Sequence, residues 1–168
     1  KIINDVKKNK LKALKKYEKK YFKNKEIKLS KKKINNSIKY LDQNVKKAID
    51  YAYERIFKFH KLQIKNFKKI KFVDKYKNKL EYKSIPIDSV GVYVPGNLPS
   101  TLLMNCIPAK IAGVRRIILA TPKINNTLNP AVLYAAKKLG IKEIFSMGGA
   151  QAIASLAFIQ KVNKVVGP

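Results

Sequence analysis

The sequence predicts an α/β fold: a Rossmann-like parallel sheet with flanking helices, preceded by a helical N-terminal region and a β-hairpin. Three patterns support this class. Apolar residues recur at helical spacing in the first third, β-branched and aromatic residues surround a polar turn next, and short apolar strands then alternate with helices. Strict alternation indicates right-handed βαβ units and a parallel sheet. The expected divisions are 1–69 (helical region), 70–88 (hairpin or connection) and 89–168 (first Rossmann-like layer, incomplete at its C-terminal end).

The N-terminal region is predicted to contain amphipathic helices. Its first helix should bury one face, formed by residues spaced three and four apart: Leu11, Leu14, Tyr17 and Tyr21. Ser30 and Asp42 are typical N-caps and should begin two further helices. The apolar stripe of those helices consists of Ile34, Ile38, Leu41, Val45, Ile49, Ala52, Ile56 and Phe59. His60 ends this stripe, where a packed or capping role is favoured over a functional one.

The hairpin and the α/β layer follow from local strand, turn and cap patterns. A polar turn at 77–79 separates two strands, and Pro86 marks a strand end. From Ser89 the strands are SVGVYV, RRIILA, KEIFSM and NKVV, whose apolar centres suit burial on both faces. The helix after the first of these strands is expected to kink at Pro108 and to end at Gly113. The helix after the second strand should begin at Asn129 with Pro130 and end at Gly140.

The net charge of +28 raises the possibility of nucleic-acid binding, but its distribution argues against it. Residues 1–89 carry 29 Lys and Arg against 9 Asp and Glu, and residues 90–168 carry 9 against 1. Only three of these basic residues are Arg, the residue that specific readers of nucleic acid favour. Abundant Lys, Ile and Asn together indicate a compositional bias. We therefore expect no nucleic-acid partner; a basic α/β module that binds nucleic acid is the alternative.

Several other classes of protein are disfavoured. The single cysteine, Cys106, excludes an internal disulfide, and with the single histidine it leaves no cluster for a metal. Cys106 and Met104 are expected in the core. No apolar run approaches the roughly 18 residues that span a membrane, and no secretory signal is visible, so no membrane partner and a cytoplasmic location are expected. The chain has no initiator Met and stops at VVGP, which suggests a piece of a longer protein.

Ligands of such a sheet bind beyond the carboxyl ends of the strands. Four junctions lie there: residues 93–97, 120–122, 147–151 and 166–168. None matches the dinucleotide or Walker fingerprint. In MGGAQ, Gly148 and Gly149 would let a ligand approach the backbone, the helix start would offer N–H donors to an anion, and Gln151 would bind a ribose or an amide. The alternative, equally weighted, is a tight turn followed by a solvated Gln151. Tyr93 would stack on a flat ring or be an ordinary strand aromatic.

A resemblance to histidinol dehydrogenase is carried by SVGVYVPG, STLLMNCIPAKIAGV, ATP, NPAVLYAAKKLGI and, above all, MGGAQAIASLAF with KVNKVVGP. Upstream, IINDVKKNKLKALKKYEKKYF and RIFKFH are similar to the opening helix of that family and to its helix before the hairpin. The resemblance therefore covers essentially the whole chain. Its most specific part is the GGAQAIA segment.

The resemblance implies the N-terminal portion of a zinc-dependent homodimeric enzyme that oxidises L-histidinol to L-histidine, with two NAD+ reduced in succession. It implies NAD contacts at Tyr93 and Gln151, beside Gly148 and Gly149. The zinc ligands and the acid–base pair are expected beyond Pro168, so no catalytic or metal-binding residue is expected here and the fragment should be inactive. The alternative within this family is a non-catalytic, degenerate remnant.

The chain also departs from the family pattern at three places. The segment PGNLPST is short and has Asn97 where a second glycine is usual, and the loop after Phe158 is short. Near Asn9 and Lys10 the family often has Gly-Asp. The first two departures border the expected cofactor cleft.

Overall fold

The computed structural model describes residues 1–24, 26–64 and 69–167. Residues 65–68 of the predicted helical region and Pro168 of the fourth predicted junction lie outside this range. The elements, in chain order, are α1 (Ile2–Phe22), α2 (Lys31–Lys39), α3 (Gln43–Ile64), β1 (Ile70–Val73), β2 (Lys79–Tyr82), β3 (Ser89–Tyr93), α4 (Pro99–Ile111), β4 (Arg116–Thr121), α5 (Pro130–Lys138), β5 (Glu143–Ser146), α6 (Gly149–Phe158) and β6 (Lys164–Val166). The predicted fold class is confirmed, whereas the division into three regions stays a prediction.

The central sheet has the strand order β5-β4-β3-β6, and all its pairings are parallel. The chain moves outward from β3 through β4 to β5 and then returns through α6 to β6, on the other side of β3. The order of the strands therefore reverses between β3 and β6. In open parallel sheets, the crevice at the carboxyl end of such a switch point is the usual place for a ligand.

Helices cover both faces of the sheet. One face packs against α4 and α5, with α2 and α3 outside them, and the other packs against α6 and α1. Alternate residues of β4 divide between the two layers, since Leu119 joins the first and Ile118 the second. Helix α6 lies close to β3, because a Cβ on Gly91 would be only 3.0 Å from Leu156. This packing holds the start of α6 over the sheet.

Local sequence signals begin and end most helices as predicted. The Ser30 side chain accepts a hydrogen bond from the Lys33 N–H, and Asp42 and Asn129 cap their helices in the same way. Gly113 and Gly140 follow α4 and α5 with φ of 92° and 69°, values that favour glycine. Helix α4 continues through Pro108 to Ile111, so the proline does not end it.

The buried faces of the N-terminal helices differ from the prediction. Helix α1 contains a non-helical residue, Lys10 (φ 47°, ψ −126°), and buries Glu18 beside Leu14, while Leu11 and Tyr21 are each 52% exposed. Three further residues that were expected to be buried are exposed: Val45, Phe59 and Met104. In α3, Tyr53 and Phe57 pack instead, because the helix face that begins at Ile49 continues through positions three and four residues on.

An extended segment at residues 27–29 covers the edge strand β5. Leu29 N–H donates to the Ile144 carbonyl oxygen at 3.1 Å, and Ser146 N–H donates to the Ile27 carbonyl oxygen at 2.6 Å. The segment runs antiparallel to β5. No sequence pattern predicted this pairing, which protects an otherwise open edge.

The predicted hairpin is present, with a turn at residues 74–78 that lies slightly earlier than expected. Strands β1 and β2 pair antiparallel, with Ile70 opposite Tyr82. The Asp74 carboxylate accepts hydrogen bonds from the Tyr76 and Asn78 N–H groups.

Among the described helices, none is long and apolar enough to cross a membrane.

Candidate site at the carboxyl edge of the sheet

The junctions that follow the strands lie side by side at one edge of the sheet. A Cβ on Gly148 would lie 2.8 Å from Pro122 Cβ, which joins the ends of β5 and β4. A Cβ on Gly96 would lie 2.6 Å from the Pro122 carbonyl oxygen, and one on Gly167 would lie 2.9 Å from the Tyr93 carbonyl oxygen. The close approach of these backbones forms one continuous surface from β5 to β6.

Tyr93 ends β3 at the switch point of the sheet. Its side chain is half-buried and packs with the cluster on the α6 face. Gln151 lies in the first turn of α6, on the same face. One strand, β4, separates β3 from β5, so the two strand ends are about 10 Å apart at the usual strand spacing. Tyr93 and Gln151 thus lie on the same face of the sheet, and the junction after β4 lies between theirs.

The two positions of the Gly-Gly pair in MGGAQ require glycine for different structural reasons. Gly148 has extended backbone, and a Cβ there would lie 2.6 Å from Phe22 Cζ, so the residue is needed for packing against α1. Gly149 has φ 63°, and a Cβ there would lie 3.0 Å from Gln151 Oε1. A side chain at 149 would therefore be strained and would cover the Gln151 carbonyl oxygen.

Gln151 is buried, with 1% of its surface exposed. Its Nε2 donates a hydrogen bond to Glu18 Oε1 at 3.1 Å, and the Gly148 N–H donates to the same oxygen at 3.0 Å. The alternative of a solvated Gln151 is therefore wrong. The Gly148 N–H group is thus already paired with a carboxylate of the chain itself. Contact of Tyr93, Gly148, Gly149 and Gln151 with a cofactor stays a prediction.

Glu18 is the main residue of this site that the sequence did not indicate. Its side chain is fully buried, and this burial raises the pKa of the carboxyl group. Hydrogen bonds from Gly148, Gln151 and Asn24, and the nearby Lys123, act in the opposite direction. The available signal was its spacing: Glu18 is four residues after the buried Leu14, on the same helix face.

A small polar network extends from Glu18 to the ends of the neighbouring strands. Asn24 Nδ2 donates to Glu18 Oε2 at 3.4 Å and also to the Ser146 carbonyl oxygen. Lys123 Nζ donates to Asn24 Oδ1 at 3.0 Å. The hydroxyl of Thr121, at the end of β4, is buried and has no hydrogen-bond partner among the described residues. The network ties α1 to the ends of β4 and β5.

The other sequence candidates do not form a second site. Cys106 is fully buried, as expected, and burial raises the pKa of its thiol to about 12, so the thiol is neutral near pH 7. His60 Nδ1 lies 2.6 Å from Gln63 Oε1, and its ring packs edge-on against Phe59. Within residues 1–24, 26–64 and 69–167, no group of three or more His, Cys, Asp or Glu residues could hold a metal ion.

Comparisons with known proteins agree with the resemblance. The family model described as histidinol dehydrogenase matches residues 1–168. A histidinol dehydrogenase from Pelagibacter ubique (strain HTCC1062) is 57% identical over 100% of this chain and 40% of its own length. One from Caldanaerobacter subterraneus subsp. tengcongensis is 41% identical, with coverage of 99% and 41%.

A solved structure gives the same result for the fold. The crystal structure of histidinol dehydrogenase from Elizabethkingia anophelis superposes with a TM-score of 0.88 at 35% identity. The match covers 99% of this chain and 40% of that one. The chain spans about 40% of the length of these relatives, in their N-terminal portion. Since the family model covers the whole chain, the chain belongs to the histidinol dehydrogenase family of oxidoreductases.

Proposed function

We propose that this chain provides part of the NAD site of a histidinol dehydrogenase whose full-length form oxidises L-histidinol to L-histidine with two NAD+. One observation supports it most: Tyr93 and Gln151 share a face at the carboxyl edge of the sheet, with Tyr93 at the switch point. Dinucleotides bind at this position in related sheets. The hydride chemistry belongs to the nicotinamide, and the protein binds and orients it.

The proposed roles follow from the surroundings of each residue. Tyr93, which is half-buried, would stack on a flat ring of the cofactor. Gln151 would form a hydrogen bond with it, and Gly149 leaves the Gln151 carbonyl oxygen uncovered. Gly148 would contribute indirectly, because its N–H already donates to Glu18.

We also propose, from the family resemblance alone, that zinc, the acid–base residues and the homodimer contacts of the full-length enzyme involve segments outside these 168 residues. The described residues offer no fitting set of metal ligands. The 168-residue chain should show no NADH formation from L-histidinol.

The test is NAD+ binding by the full-length protein, measured by isothermal titration calorimetry. Tyr93→Leu should weaken binding about fivefold, because it removes the ring that would stack on the cofactor. Tyr76→Leu is the matched control, because Tyr76 is 73% exposed in the hairpin turn. Failure of the unaltered full-length protein to bind NAD+ would refute the proposal and favour a degenerate remnant. Equal affinity of the Tyr93→Leu variant would remove Tyr93 from the site.

A further inference from the structure

The Glu18 carboxylate lies at the start of α6, next to Gly148. Helix N-termini attract anions because their free N–H groups and the helix dipole both favour negative charge. Here Gly148 N–H donates to Glu18 Oε1 at 3.0 Å, and the carboxylate is fully buried. A phosphate at this position would meet a like charge at short range, which is unfavourable.

The same carboxylate determines how the Gln151 amide is oriented. An ionised carboxylate only accepts hydrogen bonds, so the amide nitrogen of Gln151 must face it and the carbonyl oxygen must face away. Gln151 Nε2 lies 3.1 Å from Glu18 Oε1. Donors on both carboxylate oxygens support the ionised form, since Gly148 N–H and Asn24 Nδ2 also point to it.

The carbonyl oxygen of Gln151 is left as an unused acceptor beside Gly149. None of the described residues donates a hydrogen bond to Gln151 Oε1, although the side chain is 99% buried. Gly149 is exposed, and a Cβ there would lie 3.0 Å from this oxygen. The absence of a side chain at 149 therefore keeps open the approach to the oxygen from the solvent side.

We propose that Glu18 is a positioning residue that fills the anion position at the start of α6 and turns the Gln151 carbonyl oxygen toward the ligand. The ligand group bound there is then a neutral hydrogen-bond donor and not a phosphate. This inference rests on the proposed function for the identity of the ligand. In a nicotinamide dinucleotide, such donors are the ribose hydroxyls, the carboxamide N–H and the adenine amine.

The anion part of the inference is tested without NAD+. Inorganic pyrophosphate is titrated into 15N-labelled chain at physiological salt, and the Gly148, Gly149 and Ala150 amide signals are followed by NMR. The unaltered chain should show no saturating shift at these residues, whereas Glu18→Gln, which keeps an acceptor oxygen but no charge, should show one. Glu54→Gln, at an exposed position of α3, makes the same charge change away from the site and should behave like the unaltered chain. Equal shifts in the unaltered chain and Glu18→Gln would overturn the inference.

The positioning part is read from NAD+ affinity and from the Gln151 side-chain amide signals. Glu18→Ala should shift those amide signals and weaken NAD+ binding about fivefold, because Gln151 loses its partner. If Glu18→Ala does not fold, the Glu18→Gln comparison above still decides the inference. Unchanged Gln151 signals and unchanged affinity in a folded Glu18→Ala chain would overturn it.

The source of the donor is found with cofactor analogues and Gln151→Met, which lacks the acceptor oxygen. Nicotinic acid adenine dinucleotide lacks the carboxamide N–H, and nicotinamide hypoxanthine dinucleotide lacks the adenine amine. If the roughly fivefold loss caused by Gln151→Met persists with both analogues, a ribose hydroxyl is the donor. If the loss of affinity disappears with one analogue, the group that this analogue lacks is the donor. If no loss occurs even with NAD+ itself, the inference falls. Failure of NAD+ to bind the unaltered full-length protein refutes the proposed function, whereas the pyrophosphate result judges Glu18 independently.

Discussion

At the scale of single residues, one buried carboxylate connects the polar groups of the candidate site. Glu18 lies in a lysine-rich helix, yet it is fully buried and receives hydrogen bonds from Gly148, Gln151 and Asn24. Burial of a charged group is costly unless donors surround it. The junction and α1 are therefore linked, because each satisfies polar groups of the other.

The raised pKa of Glu18 predicts a pH-dependent effect of Glu18→Gln on stability. The pKa is higher in the folded chain than the usual value of about 4.3, so the folded state binds more protons between these two values. The contribution of Glu18 to the free energy of unfolding must then fall as pH rises through that interval. Glu18→Gln should be more destabilising at pH 4 than at pH 7. At pH 7 the substitution also removes the free-energy penalty of burying the charged carboxylate.

Urea unfolding of both chains between pH 4 and pH 7 measures this difference. The comparison cancels the carboxyl groups with lowered pKa, such as Asp74 and Glu143, which have the opposite pH dependence. Glu54→Gln, at an exposed position of α3, is the control for the charge change itself. A difference that is constant with pH, or that grows toward pH 7, would contradict the assignment.

At the scale of secondary structure elements, α1 is two helical segments joined at Lys10. The residue has φ 47° and ψ −126°, a conformation that glycine adopts far more easily than lysine. It lies near the place where the resemblance implied a glycine in other family members. The joint lets Val6 and Leu14 both pack inward, although the helix does not continue regularly between them.

Lys10→Gly should therefore stabilise the chain by about 1 kcal/mol, since relief of backbone strain exceeds the greater freedom of glycine in the unfolded state. The only described hydrogen bond of the side chain, from Lys10 Nζ to the Phe158 carbonyl oxygen at 3.3 Å, is exposed and contributes little. Denaturant unfolding measures the change. Lys10→Ala is the control, because it removes the same bond and keeps the strain. Equal stability of the two variants would show that Lys10 is not strained.

At the scale of the whole molecule, the dominant property is a net charge of +28 on 168 residues. The described ion pairs are few, and most of the described lysines are exposed to solvent. Repulsion among them opposes the compact state. The charge is spread over the chain, and the absence of a nucleic-acid partner stays a prediction.

Salt should therefore raise the melting temperature. Between about 0.01 M and 1 M KCl the screening length falls from about 30 Å to 3 Å, which removes most repulsion between exposed charges. A gain of about 1 kcal/mol corresponds to a rise of about 2–4 °C for a chain of this size. Thermal unfolding followed by circular dichroism measures it, with NaCl as a check against a potassium effect. A constant or falling melting temperature would contradict the repulsion argument.

The order of strands and helices in the α/β layer was predictable because its signals are local. Apolar strand centres, caps such as Asn129 and end glycines such as Gly140 act within a few residues, and the structure confirms them. The carboxyl-edge location of the candidate site follows from that order. The sequence by itself thus determined the fold class, and its motifs indicated the family.

Only the tertiary structure decided which polar groups are buried and what they contact. Glu18 and Gln151 are 133 positions apart, and residues 27–29 pair with β5 more than a hundred positions away. Helical periodicity cannot predict such pairs, because the burial of a carboxylate or an amide depends on donors that distant elements bring to it. For the same reason the glycines of MGGAQ were recognisable only as a junction. Their separate roles, close packing at Gly148 and a positive φ beside Gln151 at Gly149, required the three-dimensional arrangement.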